Sequence, residues 1–255
     1  MGTTRENGSL YTKIDKKVAT IEFGHPASNS FVAELLDRLT AEFNKLSDND
    51  AISVIVLRSE GDRAFCAGAS FDELMAVSNL EEGKVFFSGF ANVINAMRQC
   101  KKVIVGRVQG KTVGGGVGLA AACDYVYATE AASIRLSELT IGIAPLVIAP
   151  AVERKVGTAA ISELSLAPTD WKNAYWAQEK GLFSRVFDDI KELDKALDFH
   201  VHQLSTYNPE ALEDWKKVLW QGTDHWSNLL SERAAITGKL VLSEFTRNAL
   251  SKFKK

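Results

Sequence analysis

Three consecutive glycines, Gly114, Gly115 and Gly116, stand directly before the alanine-rich stretch Val117–Ala122. The entrance of a helix presents unpaired N–H groups and the positive end of the helix dipole. With no Cβ in the way, a ligand oxygen can approach those N–H groups closely, so the stretch predicts a site for an anion or for an oxygen that gains negative charge. Close packing of a helix on a strand would also call for glycine, and the run alone does not choose between the two. A second stretch has the same form: Ala67-Gly68-Ala69 ends a strand and loop, and a helix follows with Asp72 and Glu73 in its first turn. Two such entrances aimed at one oxygen would hold an enolate or a tetrahedral intermediate. Losing one donor of that kind typically slows a reaction by about 10²–10³-fold.

Other glycine chemistry does not fit. Gly110-Lys111-Thr112 follows a strand, as in a phosphate-binding loop, but the first glycine of that pattern would fall on Val105. A dinucleotide pattern satisfied by Gly114 and Gly116 meets Leu119 where its third glycine belongs. There is no CxxC or HExxH, and His200 and His202 in a polar helix read as solvated side chains, so no metal and no separate cofactor is expected. Cys66, Cys100 and Cys123 make an odd count without framework spacing, which suits a reducing, cytoplasmic compartment; Cys66 and Cys123 read as small core residues.

The elements that must position these residues follow from hydrophobic period. Leu10–Ile14 and Val18–Phe23 alternate as strands around a Lys-Lys turn. Ser30 is placed to cap a helix carrying Phe31, Leu35, Leu39, Phe43 and Leu46 at helical spacing. Buried strands are predicted in ISVIVLRS (52–59), KKVIVGRVQG (101–110) and DYVYAT (124–129), with helices between them, including Glu81–Cys100. Strands alternating with helices imply an α/β core with parallel pairing. After Asp188 only amphipathic helices are predicted, Ile190–Thr206, Pro209–Trp220, His225–Thr237 and Leu240–Phe253. Their aromatics, Trp215, Trp220, Trp226, Phe245 and Phe253, read as core or subunit interface, and Lys252, Lys254 and Lys255 as a solvated end or a phosphate contact. No internal repeat or long linker stands out. The 255 residues carry a net charge of -2, so no basic surplus points to nucleic acid. No apolar run reaches the ~20 residues of a membrane span, and Met1–Leu10 is too polar for a signal core.

The motifs AFCAGASFDEL, VQGKTVGGGVGLAAACDYVYATEAASI, SELTIGIAP and AYWAQEKGLFSRVF stand in order along the chain, with Ala177 and Gly181-Leu182 in the last. Through them the chain resembles the crotonase, or enoyl-CoA hydratase/isomerase, superfamily, clearly over residues 10–190 and loosely beyond. The resemblance implies a spiral of ββα units: residues 1–190 as the core with an acyl-CoA site, and 191–255 as a helical oligomerisation region of a homotrimer or hexamer. It implies an oxyanion hole from the N–H groups of Ala69 and Gly115. It places Ala64, Ala67 and Gly68 along the CoA moiety and Asn29 near its adenine end.

Hydratases of this superfamily carry two glutamates; here the first position is Gly118 and the second is Glu138. The resemblance therefore makes Glu138 the acid/base, a residue that would otherwise read as a surface glutamate. SELTIGIAPLVIAPAV, residues 137–152, together with GGGVGL, looks most like the bacterial methylglutaconyl-CoA hydratase type, which handles branched or carboxylated enoyl groups. Leu146, Val147 and Ile148 would make the acyl end apolar. Arg135 is the candidate partner for a carboxylate, against a default reading as an exposed strand residue, and Asp124 is another nearby acid. The expected activity is hydration of a 2-enoyl-CoA. A Δ3,Δ2-enoyl-CoA isomerase, which needs one base, and a non-catalytic acyl-CoA binder stay open.

Overall fold

A computed structural model describes residues 7–252. Phe253, Lys254 and Lys255, and the first six residues of the polar start, lie outside the described residues. The expected hairpin is formed by β1 (Ser9–Asp15) and β2 (Val18–Gly24), paired antiparallel. Helix α1 (Ala33–Ser47) follows, but Ser30 does not cap it. Phe31 is drawn into a single parallel bridge with Ala69, so the helix starts later, with Val32 at its cap position. The Ala33 N–H donates to Glu73 Oε2 at 2.8 Å, a carboxylate supplied from elsewhere in the chain. Ser30 Oγ sits 3.3 Å from His25 Nδ1 instead.

A structural unit then repeats without a repeat in the sequence. In each unit a longer strand enters a large sheet, a short strand enters a small sheet, and a helical segment follows. The first has β3 (Val54–Ser59), β4 (Ala64–Cys66), α2 (Phe71–Ala76) and α3 (Leu80–Gln99). The second has β5 (Val103–Val108), β6 (Lys111–Val113) and α4 (Gly115–Ala122). The third has β7 (Tyr125–Thr129), β8 (Ser133–Arg135), a 3₁₀ turn (Glu138–Ile141) and α5 (Ala149–Leu166). Then come β9 (Lys172–Asn173), α6 (Ala174–Glu179), β10 (Arg185–Phe187) and the helices α7 (Ile190–Leu204), α8 (Pro209–Leu219), α9 (Trp226–Val241) and α10 (Glu244–Ser251).

The large sheet has the order β1-β2-β3-β5-β7-β10, parallel from β2 onward. Its central strands read as nearly continuous apolar runs because both faces are covered. Ile55, Leu57, Ile104 and Val126 face the main core with α1, α3 and α4. Val54, Val56, Val105 and Tyr127 face the other way, onto Leu193, Leu197 and Val201 of α7. That second face also holds His200, half-buried between Tyr125 and Tyr127 with Nδ1 3.0 Å from the Tyr127 hydroxyl, and not solvated as the polar pattern of its helix suggested. Cys66, Cys100 and Cys123 are buried and unpaired.

The helical tail is not a separate layer. Helix α9 crosses α3 so closely that a Cβ on Gly238 would lie 2.5 Å from the Gly83 carbonyl carbon. It continues past the expected end at Thr237 to Val241 because this crossing holds it there. Trp220 and Trp226 are buried edge to face, ring centres 5.9 Å apart, in the same apolar cluster as the large sheet. Trp215 and Phe245 are exposed. Among the described residues no helix is long and apolar enough to cross a membrane.

Candidate active site

The small sheet explains how distant stretches meet. β4, β6 and β8 are neighbours and run parallel, so the segments that follow them leave from one edge. Those segments are Ala67–Ala69, Gly114–Gly115 and Ser137–Glu138. All of them line one cavity of about 270 Å³.

The two backbone entrances are set by peptide planarity. Phe31 N–H donates to Gly68 O at 2.8 Å, and Ser70 N–H donates to Phe31 O at 2.7 Å. The Gly68 carbonyl and the Ala69 N–H share one trans peptide, so the Ala69 N–H faces away from Phe31. The Gly114 carbonyl likewise accepts from Val117 and Gly118 inside the helix, at 2.9 and 3.3 Å, which turns the Gly115 N–H out of the helix entrance. The two stretches touch: a Cβ on Gly68 would lie 3.3 Å from Val113 O and 3.9 Å from Gly115 N. Gly68 and Gly114 have φ of 94° and 52°, a region that favours glycine.

Glu138 opens the 3₁₀ turn beside these entrances. Its Oε1 would lie 2.9 Å from a Cβ on Gly114, so glycine there admits the carboxyl group. Its Oε2 is buried and has no hydrogen-bond partner among the described residues. Burial pushes the Glu138 carboxyl up to about 7, against smaller opposing effects of its own backbone N–H and of the Arg135 charge. The turn is braced from the far end of the chain, where Thr246 Oγ1 donates to Gly142 O at 3.1 Å.

Of the other residues singled out, Ala67 and Gly68 line the cavity, whereas Ala64 and Asn29 are not among the residues that line it. Asn29 Nδ2 donates to the carbonyls of Glu60 and Ala64 at 2.8 and 2.9 Å, tying two loops together. Asp124 is not near the site: it accepts from Ile104 N–H and the Trp220 indole and pairs with Lys216 at 3.0 Å. Arg135 is not an exposed strand residue, because its register beside Val113 turns it toward the cavity that it lines.

Three features escaped the sequence. The Phe90 ring fills the space where a Cβ of Gly115 would stand. A Cβ on Gly118 would lie 2.5 Å from Ile148 Cγ2, so the side of the cavity without a carboxylate is closed by isoleucine. Thr237 of α9 lines the cavity from the tail. The helical period of these segments marks a buried face and does not say what that face meets. Phe71, Leu74, Phe86, Phe87, Ile141 and Ile143 make the rest of the wall apolar. Among the described residues no three His, Cys, Asp or Glu converge as metal ligands.

A sequence profile described as Enoyl-CoA hydratase/isomerase matches residues 13–247. The chain is 29% identical to the peroxisomal Delta(3,5)-Delta(2,4)-dienoyl-CoA isomerase of Arabidopsis thaliana over 188 residues, 69% of this chain and 67% of that protein. It is 30% identical to the mitochondrial methylglutaconyl-CoA hydratase of Homo sapiens over 203 residues, 77% of this chain and 58% of that protein. The crystal structure of an enoyl-CoA hydratase from Bacillus halodurans superposes with a TM-score of 0.89 at 20% identity, covering 96% of this chain and 99% of the other.

Proposed function

The chain belongs to the enoyl-CoA hydratase/isomerase family, and from that premise we propose that it adds water reversibly across the 2,3 double bond of an enoyl-CoA thioester. The observation that carries this reading is a half-buried glutamate, Glu138, whose unpaired Oε2 is buried and whose carboxyl is pushed up to about 7, beside two outward backbone N–H groups. A group that titrates near the working pH serves as both base and acid. The thioester oxygen lies between Ala69 N–H and Gly115 N–H, and the CoA moiety runs past Ala64, Ala67 and Gly68 toward the Asn29 loop. Glu138 takes a proton from water as the water oxygen bonds to Cβ. The double-bond electrons pass to the thioester oxygen, where the two N–H groups stabilise the enolate. Glu138 then returns a proton to Cα and the carbonyl reforms. Leu146, Val147 and Ile148 support a branched or 3-methylglutaconyl-type acyl group.

One observation favours a second reading, Δ3,Δ2-enoyl-CoA isomerisation. Ile148 occupies the space at Gly118, and moving a proton between two carbons requires only one carboxylate. Turnover in H₂¹⁸O separates the readings. Hydration puts the label on Cβ of a 3-hydroxyacyl-CoA, whereas isomerisation returns the substrate mass with a shifted double bond. No turnover of any enoyl-CoA would leave an acyl-CoA binder.

A homotrimer or hexamer is supported by apolar side chains left in water on the tail, Phe199 at 73%, Trp215 at 59% and Phe245 at 68% exposure. Light scattering at micromolar concentration is expected to give that mass, and a monomer would contradict it.

A further inference from the structure

We propose that Arg135 selects acyl groups that carry a carboxylate within a bond or two of the reacting carbons; this rests on reading the cavity as an enoyl-CoA site. Arg135 is the one cation among the described residues that line the cavity. It lies at the glycine end, since Gly114 N–H donates to Arg135 O at 3.0 Å, and it precedes Glu138 by three positions. Its guanidinium carbon stands 4.6 Å from the centre of the Trp171 ring, a contact that favours the charge but accepts no hydrogen bond along the guanidinium plane. Its Nε is buried without a hydrogen-bond partner. Among the described residues Arg135 makes no ion pair, although Glu138 lies within reach of its charge.

A buried donor left unpaired is costly, and a planar guanidinium matches a carboxylate. The position of that carboxylate follows from the walls. Phe71, Leu74, Phe86 and Ile143 offer no charge, so an anion at the tip of a long acyl chain would be buried without a partner. An anion one carbon beyond the double bond would instead stay at the Arg135 end.

The test separates recognition from catalysis by using saturated esters that cannot react. Calorimetric titration is expected to show pentanedioyl-CoA binding at least ten-fold tighter than pentanoyl-CoA. Arg135→Gln should shrink that ratio to within two-fold while leaving pentanoyl-CoA affinity unchanged. Arg135→Lys, which keeps the charge but not the planar fork, should keep part of the ratio. Equal affinities in the wild type overturn the proposal, whatever the variants do. A ratio unmoved by Arg135→Gln overturns it too, as does an equal weakening of both esters. Turnover of trans-2-pentenedioyl-CoA and trans-2-pentenoyl-CoA is measured alongside. A binding preference without turnover of either would sink the catalytic reading and leave Arg135 its role; turnover with no preference would do the reverse.

Discussion

Two walls of the cavity, one at Glu138 and one at Ile148, are built in opposite ways. On one wall Glu138 stands at a strand-to-turn junction, opposite a glycine that makes room for it, with a buried and unpaired Oε2. On the other, Gly118 lies inside α4 and Ile148 closes over it, with Ile148 Cβ 2.7 Å from where a Gly118 Cβ would stand. The first wall keeps a group that the fold holds in an unfavourable place. The second has no carboxylate and is filled with apolar atoms. The difference teaches that a carboxylate at position 118 would have to displace packed apolar atoms, so a single substitution there would not place a second acid in the cavity.

The largest effect should come from the wall that keeps its acid. Glu138→Gln preserves size and hydrogen bonding but not proton transfer, so kcat is expected to fall about 10²–10⁴-fold while thioester affinity holds within about three-fold. Full activity in the variant would remove Glu138 from both the hydratase and the isomerase readings.

The same substitution should stabilise the protein at high pH. Below the ordinary value of 4.5 the carboxyl is protonated in both the folded and unfolded states, so it contributes nothing. Between 4.5 and about 7 the folded state keeps a proton that the unfolded state has lost, and above that both are ionised with the burial penalty complete. Relative to Glu138→Gln, the wild type should therefore lose stability on the order of 3 kcal/mol as pH rises through this window. Urea denaturation at pH 4.5 and pH 8 measures it; a gap that does not widen with pH would show that the carboxyl is not desolvated.

The closed wall is tested by forcing it open. Gly118→Glu alone should cost about 1–3 kcal/mol from overpacking against Ile148, and Gly118→Glu with Ile148→Ala should recover at least part of that. An equal loss in both would mean that Ile148 is not what fills the space. The smallest effect lies between the walls. The Arg135 charge holds the Glu138 carboxyl down, so Arg135→Gln should move the rising limb of the kcat/KM profile, near pH 7 in the wild type, to higher pH. A limb that stays put or moves lower would contradict that coupling.

Much of the fold was legible because periodicity reports burial. The hairpin, the central strands, α3 and the first two tail helices appear where the pattern of apolar residues puts them, whereas Leu240 and Val241, expected to open the last helix, end α9 and the last helix starts only at Glu244. Ser30 misled because a good capping residue says nothing about Phe31 being claimed by a bridge to Ala69, 38 positions along the chain by its number. His200 misled because helical polarity does not reveal that Tyr125 and Tyr127 pack against one edge. Asp124 read as a neighbour of the site because it follows the glycine helix, yet that helix carries it to the other end.

By itself the sequence determined which backbone could be bare and which acids existed: Gly114–Gly116, Ala67–Ala69, Glu138 and the glycine at position 118 are facts of residue type. Their short-range consequences, a helix entrance and a strand end, follow from local sterics and hydrogen bonding. Only the tertiary structure decided that three strand ends from successive units share one edge. Only it decided that Ile148 meets Gly118 and that Arg135 turns inward with its Nε buried and without a hydrogen-bond partner. The reason is that contact across the chain depends on how layers stack, and burial depends on everything stacked around a group. The pH at which Glu138 changes charge is of that second kind, since it is set by the desolvation that the assembled walls impose.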